Sequence, residues 1–199
     1  MTFRSILRAA ALLAGLMPAV AFAHTGIGET GGFAHGFLHP VSGIDHVLAM
    51  VMVGVLAWQL GGKATWLVPA SFVAVMALGG AIGAAGIAIP FVETGIALSV
   101  VVLGVIVALG VKAPVAVAMA LVGLFAVFHG HAHGSEMPET VAGLAYAAGF
   151  MVATALLHAL GVGAGIGLGK LGERQGPAII RIAGGMAAAA GLGILTGAL

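Results

Sequence analysis

The sequence predicts an all-α protein: a polytopic membrane helix bundle with six transmembrane helices after a cleaved signal peptide. Three observations carry that prediction. Charge is scarce, with 7% charged residues against 61% hydrophobic in 199 residues and a mean hydropathy of +1.21. A soluble domain carries about 25% charged residues, and a water-facing surface cannot be built from so few. The apolar stretches approach the roughly 20 residues needed to cross hydrocarbon. Finally, 34 glycines would weaken soluble helices but in lipid let helices approach closely.

The first segment has the layout of a secretory signal peptide. Arg4 and Arg8 precede the apolar run Ala9 to Leu16, followed by Pro18 and the small-residue stretch Ala21-Phe22-Ala23. A basic start, a short apolar core and an A-x-A site predict cleavage after residue 23. Residues 24–199 then form a single domain. Its first residue would be His24, whose α-amine and imidazole could chelate one ion. The plainer alternative is that His24 merely follows the cleavage site.

Six apolar stretches follow, near Pro40–Leu60, Thr65–Ile89, Thr94–Gly110, Pro114–Phe128, Val141–Leu168 and Pro177–Ala198. The connections between them are short, apart from a polar segment from His129 to Thr140, so neighbouring spans are antiparallel. Glycines four apart, Gly79/Gly83, Gly161/Gly165/Gly169 and Gly193/Gly197, predict close helix contacts. A cleaved leader puts the mature N-terminus in the periplasm of a bacterial inner membrane, and six spans return the C-terminus there. The connections then cytoplasmic hold Lys63, Lys112, Lys170 and Arg174, with Arg181 opening the last span. Those facing the periplasm hold Glu29, Glu93, Glu136 and Glu139, with Asp45 just inside the first span and no Lys or Arg. That is the distribution the positive-inside rule requires.

Several function classes fall away. With no cysteine there is no disulfide and no thiolate ligand or nucleophile. A net charge of +1 and no basic run exclude nucleic acid as a partner. The run Gly161 to Gly169 lacks a following Lys-Ser/Thr, so it is not a phosphate-binding loop, and no nucleotide motif supports an ATP-driven pump.

The polar residues gather in clusters. The first runs His35-Gly36-Phe37-Leu38-His39-Pro40-Val41-Ser42-Gly43-Ile44-Asp45-His46. Pro40 suits the first turn of a helix, which would place Asp45 and His46 about 8–9 Å along it at 1.5 Å per residue. His39 and His46, seven residues apart, would share one face unless Gly43 bends the chain. An ionisable residue at such depth costs several kcal/mol unless paired and marks a functional site by default. A helix cap at Asp45 does not explain the two imidazoles flanking it.

The second cluster is Phe128-His129-Gly130-His131-Ala132-His133-Gly134-Ser135-Glu136. In a helix His129, His133 and Glu136 share a face and His131 points away; in an extended segment the three histidines align. A solvated His-rich loop is the plain alternative. Imidazoles with carboxylates and no thiolate suit Ni²⁺, Co²⁺ or Zn²⁺. Met50, Met52, Met137 and Met151 leave copper open, although such methionines more often fill a core. His158 lies mid-span, with Thr154 one turn earlier: a station on an ion's route, or a packing residue hydrogen-bonded to Thr154 or a carbonyl. Glu93 is either an interfacial cap or a rim ligand.

His39-Pro40-x-x-Gly43-x-Asp45-His46, the run Phe128 to Pro138 and the run Gly149 to His158 resemble the HupE/UreJ family of nickel or cobalt permeases. The likeness covers essentially the whole mature chain. It implies that His39, Asp45, His46 and Glu136 are required, that Ni²⁺ or Co²⁺ is a transported ion rather than a bound cofactor, and that the chain is not an enzyme. It also implies a functional link to hydrogenase, urease or cobalamin maturation. His129, His131 and His133 complete the expected metal set, with His24, His35, Glu93 and His158 as accessory or pathway ligands. Membrane lipid surrounds the chain, and a homo-oligomer stays open. Two other readings stand beside the permease: an intramembrane zinc hydrolase using a three-ligand site with an open position, and a periplasm-facing metal-binding accessory or sensor.

Overall fold

The computed structural model describes residues 32–137, 142–172 and 175–199. The expected leader, His24, Glu29, Glu139 and Arg174 lie outside them. Among the described residues every regular element is helical: α1 (Gly32–Ser42), α2 (Ile44–Leu60), α3 (Ala64–Ala84), α4 (Val92–Leu109), α5 (Val115–Ser135), α6 (Ala142–Gly169) and α7 (Gln175–Thr196). Helices α3 to α7 are each long and apolar enough to cross a membrane, and the bent pair α1 and α2 is either a sixth, broken span or a re-entrant loop. The protein is a multi-pass membrane protein.

The break corrects the expected first span. Rather than one helix from Pro40 to Leu60, α1 and α2 meet at 82°. Pro40 sits late in α1 instead of opening the span, where its missing N–H weakens the last turn. Gly43 is extended (φ −93°, ψ 120°) and caps α2. A Cβ there would lie 2.7 Å from Asp45 Oδ1, so glycine is what lets that carboxylate fold back over the helix start. His39 and His46 therefore belong to different helices.

Helix α2 runs through the middle of the bundle, packed on α3, α4 and α6, with Met50, Val53 and Ala57 fully buried. The tightest seam joins α3 to α5. A Cβ on Gly130 would overlap the Met76 carbonyl, and one on Gly134 the Gly80 carbonyl. Gly79 and Gly83 press the α5 backbone from the other side. In lipid such small-residue contacts substitute for a hydrophobic drive between helices. Gly54 and Gly161 do the same between α2 and α6. The expected Gly193/Gly197 face is not a seam, because nothing lies within 4 Å of a Cβ at Gly197 and Gly193 meets only Leu199; α7 packs on α4 through Gly184 and Gly191. Leu78, Leu109, Leu144, Leu160 and Met186 point outward, as a lipid-facing surface requires.

One further expectation changes. The polar segment from His129 is not a connection: α5 continues to Ser135. Its histidines therefore lie on a helix held by the α3 seam.

A candidate metal centre built from imidazoles

Three elements bring the histidines together. Gly130 and Gly134 turn toward α3, which directs His129 and His133 of the same helix into the bundle, both with 0% exposure. The break at Gly43 sets the start of α2 beside them. The His46 ring centroid lies 4.8 Å from that of His129 and 4.8 Å from that of His133. From α1, His39 stands 5.0 Å from His133, nearly edge-on at 77°. His39 Nε2 meets Glu136 Oε2 at 2.9 Å, so the carboxylate just past α5 clasps α1. His35, exposed, follows one turn earlier, 6.3 Å from His39.

The hydrogen bonds decide which nitrogens are free. Asp45 Oδ1 accepts from the His46 backbone N–H at 2.7 Å and lies 2.8 Å from His46 Nδ1. An ionised carboxylate is acceptor-only, so Nδ1 carries the hydrogen and Nε2 keeps its lone pair. That Nε2 is buried and unpartnered among the described residues. Such a carboxylate–histidine pair fixes the tautomer and raises the basicity of a metal ligand. Ser99 acts in the same way on His129. Its Oγ donates to the Ile96 carbonyl at 2.6 Å, so toward His129 Nε2, at 3.0 Å, it accepts. His129 Nδ1 therefore holds the free lone pair, and it too is buried and unpartnered. Neither nitrogen of His133 has a partner among the described residues. Buried polar atoms are rarely left unpaired, so unpaired nitrogens on three facing rings are a strong sign of a ligand.

Among the described residues no three His, Asp or Glu side chains are spaced to hold one metal ion together. The rings meet edge to face, one leading to the next. His39, Asp45, His46, His129, His133 and Glu136 share this neighbourhood, and His131 does not: it points away on the helix and its Nε2 lies 2.8 Å from the Ile87 carbonyl. This is the helical alternative for the second cluster. Glu93 opens α4, exposed, and lines a cavity of about 260 Å³ with Asp45 and Thr94, so it sits at the rim. His158 is 1% exposed and is not bonded to Thr154, whose hydroxyl donates to Met76 Sδ at 3.6 Å.

Sequence reasoning missed Ser99, Tyr146 and Phe72. Ser99 had a signal, as the one hydroxyl inside the aliphatic run Ile96 to Leu109. Tyr146, the single tyrosine, is fully buried with its ring 5.3 Å from His35. Phe72 looked like any other core aromatic.

A multi-pass helix bundle with an inward-facing imidazole and carboxylate cluster is the class these features define. The family described as HupE / UreJ protein matches residues 11–194, and the chain belongs to that family. It is 50% identical to Protein HupE of Rhizobium leguminosarum bv. viciae over 187 residues, 94% of this chain and 95% of the relative. No solved structure matches.

Proposed function

We infer that the chain is a permease carrying a divalent transition metal inward across the bacterial inner membrane, Ni²⁺ first and Co²⁺ next. The observation that carries this reading is the set of free imidazole nitrogens facing one another inside the bundle, with Asp45 and Glu136 beside them. In the proposed topology residues 1–23 are a cleaved leader, residues 24–199 the transport domain, and both mature termini are periplasmic. The ion sheds part of its water onto His39, Asp45, His46, His129, His133 and Glu136, with Glu93 and His35 at the rim, and passes inward by way of His158.

Conduction needs binding strong enough to admit an ion and weak enough to release it, and a closed four-ligand site would hold it. An inside-negative potential supplies about 2.3 kcal/mol per charge per 100 mV, which acts twice on a dication. The ion is cargo, consistent with supply to hydrogenase, urease or cobalamin maturation.

The test is Ni²⁺ uptake into proteoliposomes by the purified chain, with Co²⁺, Zn²⁺ and Cu²⁺ as competitors. Saturable uptake with Co²⁺ the strongest competitor supports the permease. Stoichiometric binding without flux points to an accessory or sensor protein and overturns it.

A further inference from the structure

An aromatic ring interrupts the string of histidines. Outside it the imidazoles follow one another at 4.8–5.0 Å between centroids, from His39 through His133 and His46 to His129. Beyond His129 comes Phe72 of α3, fully buried. Its ring centroid lies 5.7 Å from His129 and 5.1 Å from His158, to which it stands perpendicular at 83°. His158 on the inner side has neither nitrogen partnered among the described residues. Two groups of free imidazole nitrogens are thus held apart by a phenyl ring.

The neighbours of that ring offer an ion no substitute. Val68 and Met76, one turn to either side on α3, are fully buried, and the Met76 sulfur already accepts from Thr154. A phenyl group has no lone pair to replace lost water, and hydrophobic constrictions of this kind stop ions in pores. A groove of about 770 Å³, open to the outside of the bundle, lies along the next face of α3 and reaches His158 between Pro69, Val73 and Met151. Pro69, inside α3, lacks the N–H its turn would use, so the helix is one hydrogen bond short beside Phe72.

We propose that Phe72 is a hydrophobic gate between the outer imidazole cluster and His158, setting the rate and selectivity with which a divalent cation passes from one to the other. The gate rests on the permease reading. Its own role is passage, not binding, so it predicts a split between the two.

The experiment uses the full chain in proteoliposomes with Ni²⁺ as probe, and Co²⁺ absorption in detergent to read binding at the outer cluster. Phe72→Ala is expected to raise Ni²⁺ flux roughly fivefold and to admit Mn²⁺, while Phe72→Trp lowers flux roughly tenfold. Both are expected to keep binding within about twofold of the unaltered chain. Phe72→Leu, which leaves a smaller void should Ala unfold the bundle, gives an intermediate rise. Flux insensitive to all three substitutions in a chain that does transport overturns the gate and leaves the permease standing. Binding and flux lost in equal proportion also overturn it, since Phe72 would then only support the cluster. No Ni²⁺ flux from the unaltered chain overturns the permease reading and the gate with it.

Discussion

The two ends of the bundle treat polar side chains in opposite ways. At the end bearing Glu93 and Glu136, imidazoles point inward and several of their nitrogens are left without a protein partner among the described residues. At the other end most polar groups reach protein partners: the Lys112 ammonium donates to the Gln59 carbonyl, Gln59 Nε2 donates to the Val107 carbonyl at 3.1 Å, and the Arg181 guanidinium covers Gly110, although Gln59 Oε1 has no partner among the described residues. That end uses most of its polar groups for structure. The other withholds them, at a cost a buried polar atom normally incurs only for a ligand. Burial in an apolar chain is therefore less informative than whether the buried group has been paired.

The sharpest way to break this contrast is to remove the group that fixes the free nitrogen of His46. Asp45→Asn can still face Nδ1 but no longer imposes the tautomer, and Asp45→Ala removes the partner altogether. Ni²⁺ uptake at limiting metal is expected to fall about 100-fold in Asp45→Ala, with His46→Ala as severe. Retained uptake in both would mean the unpaired nitrogens serve no ion. Ser99→Ala frees His129 to adopt either tautomer and predicts a smaller loss, about tenfold in Ni²⁺ affinity by titration calorimetry.

Acid tests the same contrast from the proton side. Imidazole binds metal only when neutral, and its ordinary pKa is about 6.5. Protonation competes as pH falls, so uptake at limiting Ni²⁺ should be full near pH 7.5 and decline in sufficiently acid medium. Uptake that rises as the medium is acidified would contradict imidazole ligands. The smallest effects are expected for groups that lie outside the cluster. His131→Ala and Lys112→Ala should each leave uptake within about twofold, and a large loss in His131→Ala would return that residue to the metal set.

The class was legible in the sequence because composition alone excludes a soluble surface, and the spacing of apolar runs locates the spans. The clusters were legible because histidine is conspicuous among aliphatic residues. What sequence could not supply was direction. The 82° turn depends on Gly43 and Pro40 acting together, and either alone reads equally well as part of a continuous helix. The run from His129 looked like a loop because of Gly130 and Gly134, which break helices in water but here serve the α3 seam. Which histidines face each other follows from that seam. The choice between His131 and His133 was therefore a tertiary matter, although helical periodicity offered the correct option. Ser99 and Phe72 carry their roles through contacts with residues on other helices, and no local pattern announces those.

The most direct measurement is X-ray absorption of the purified chain loaded with one equivalent of Ni²⁺. If the unpaired nitrogens of His46, His129 and His133 are the ion's first seat, the spectrum shows imidazole scattering. That scattering should fall in His46→Ala and in His133→Ala and stay unchanged in His131→Ala. An all-oxygen shell, or imidazole scattering that drops only in His131→Ala, would contradict it.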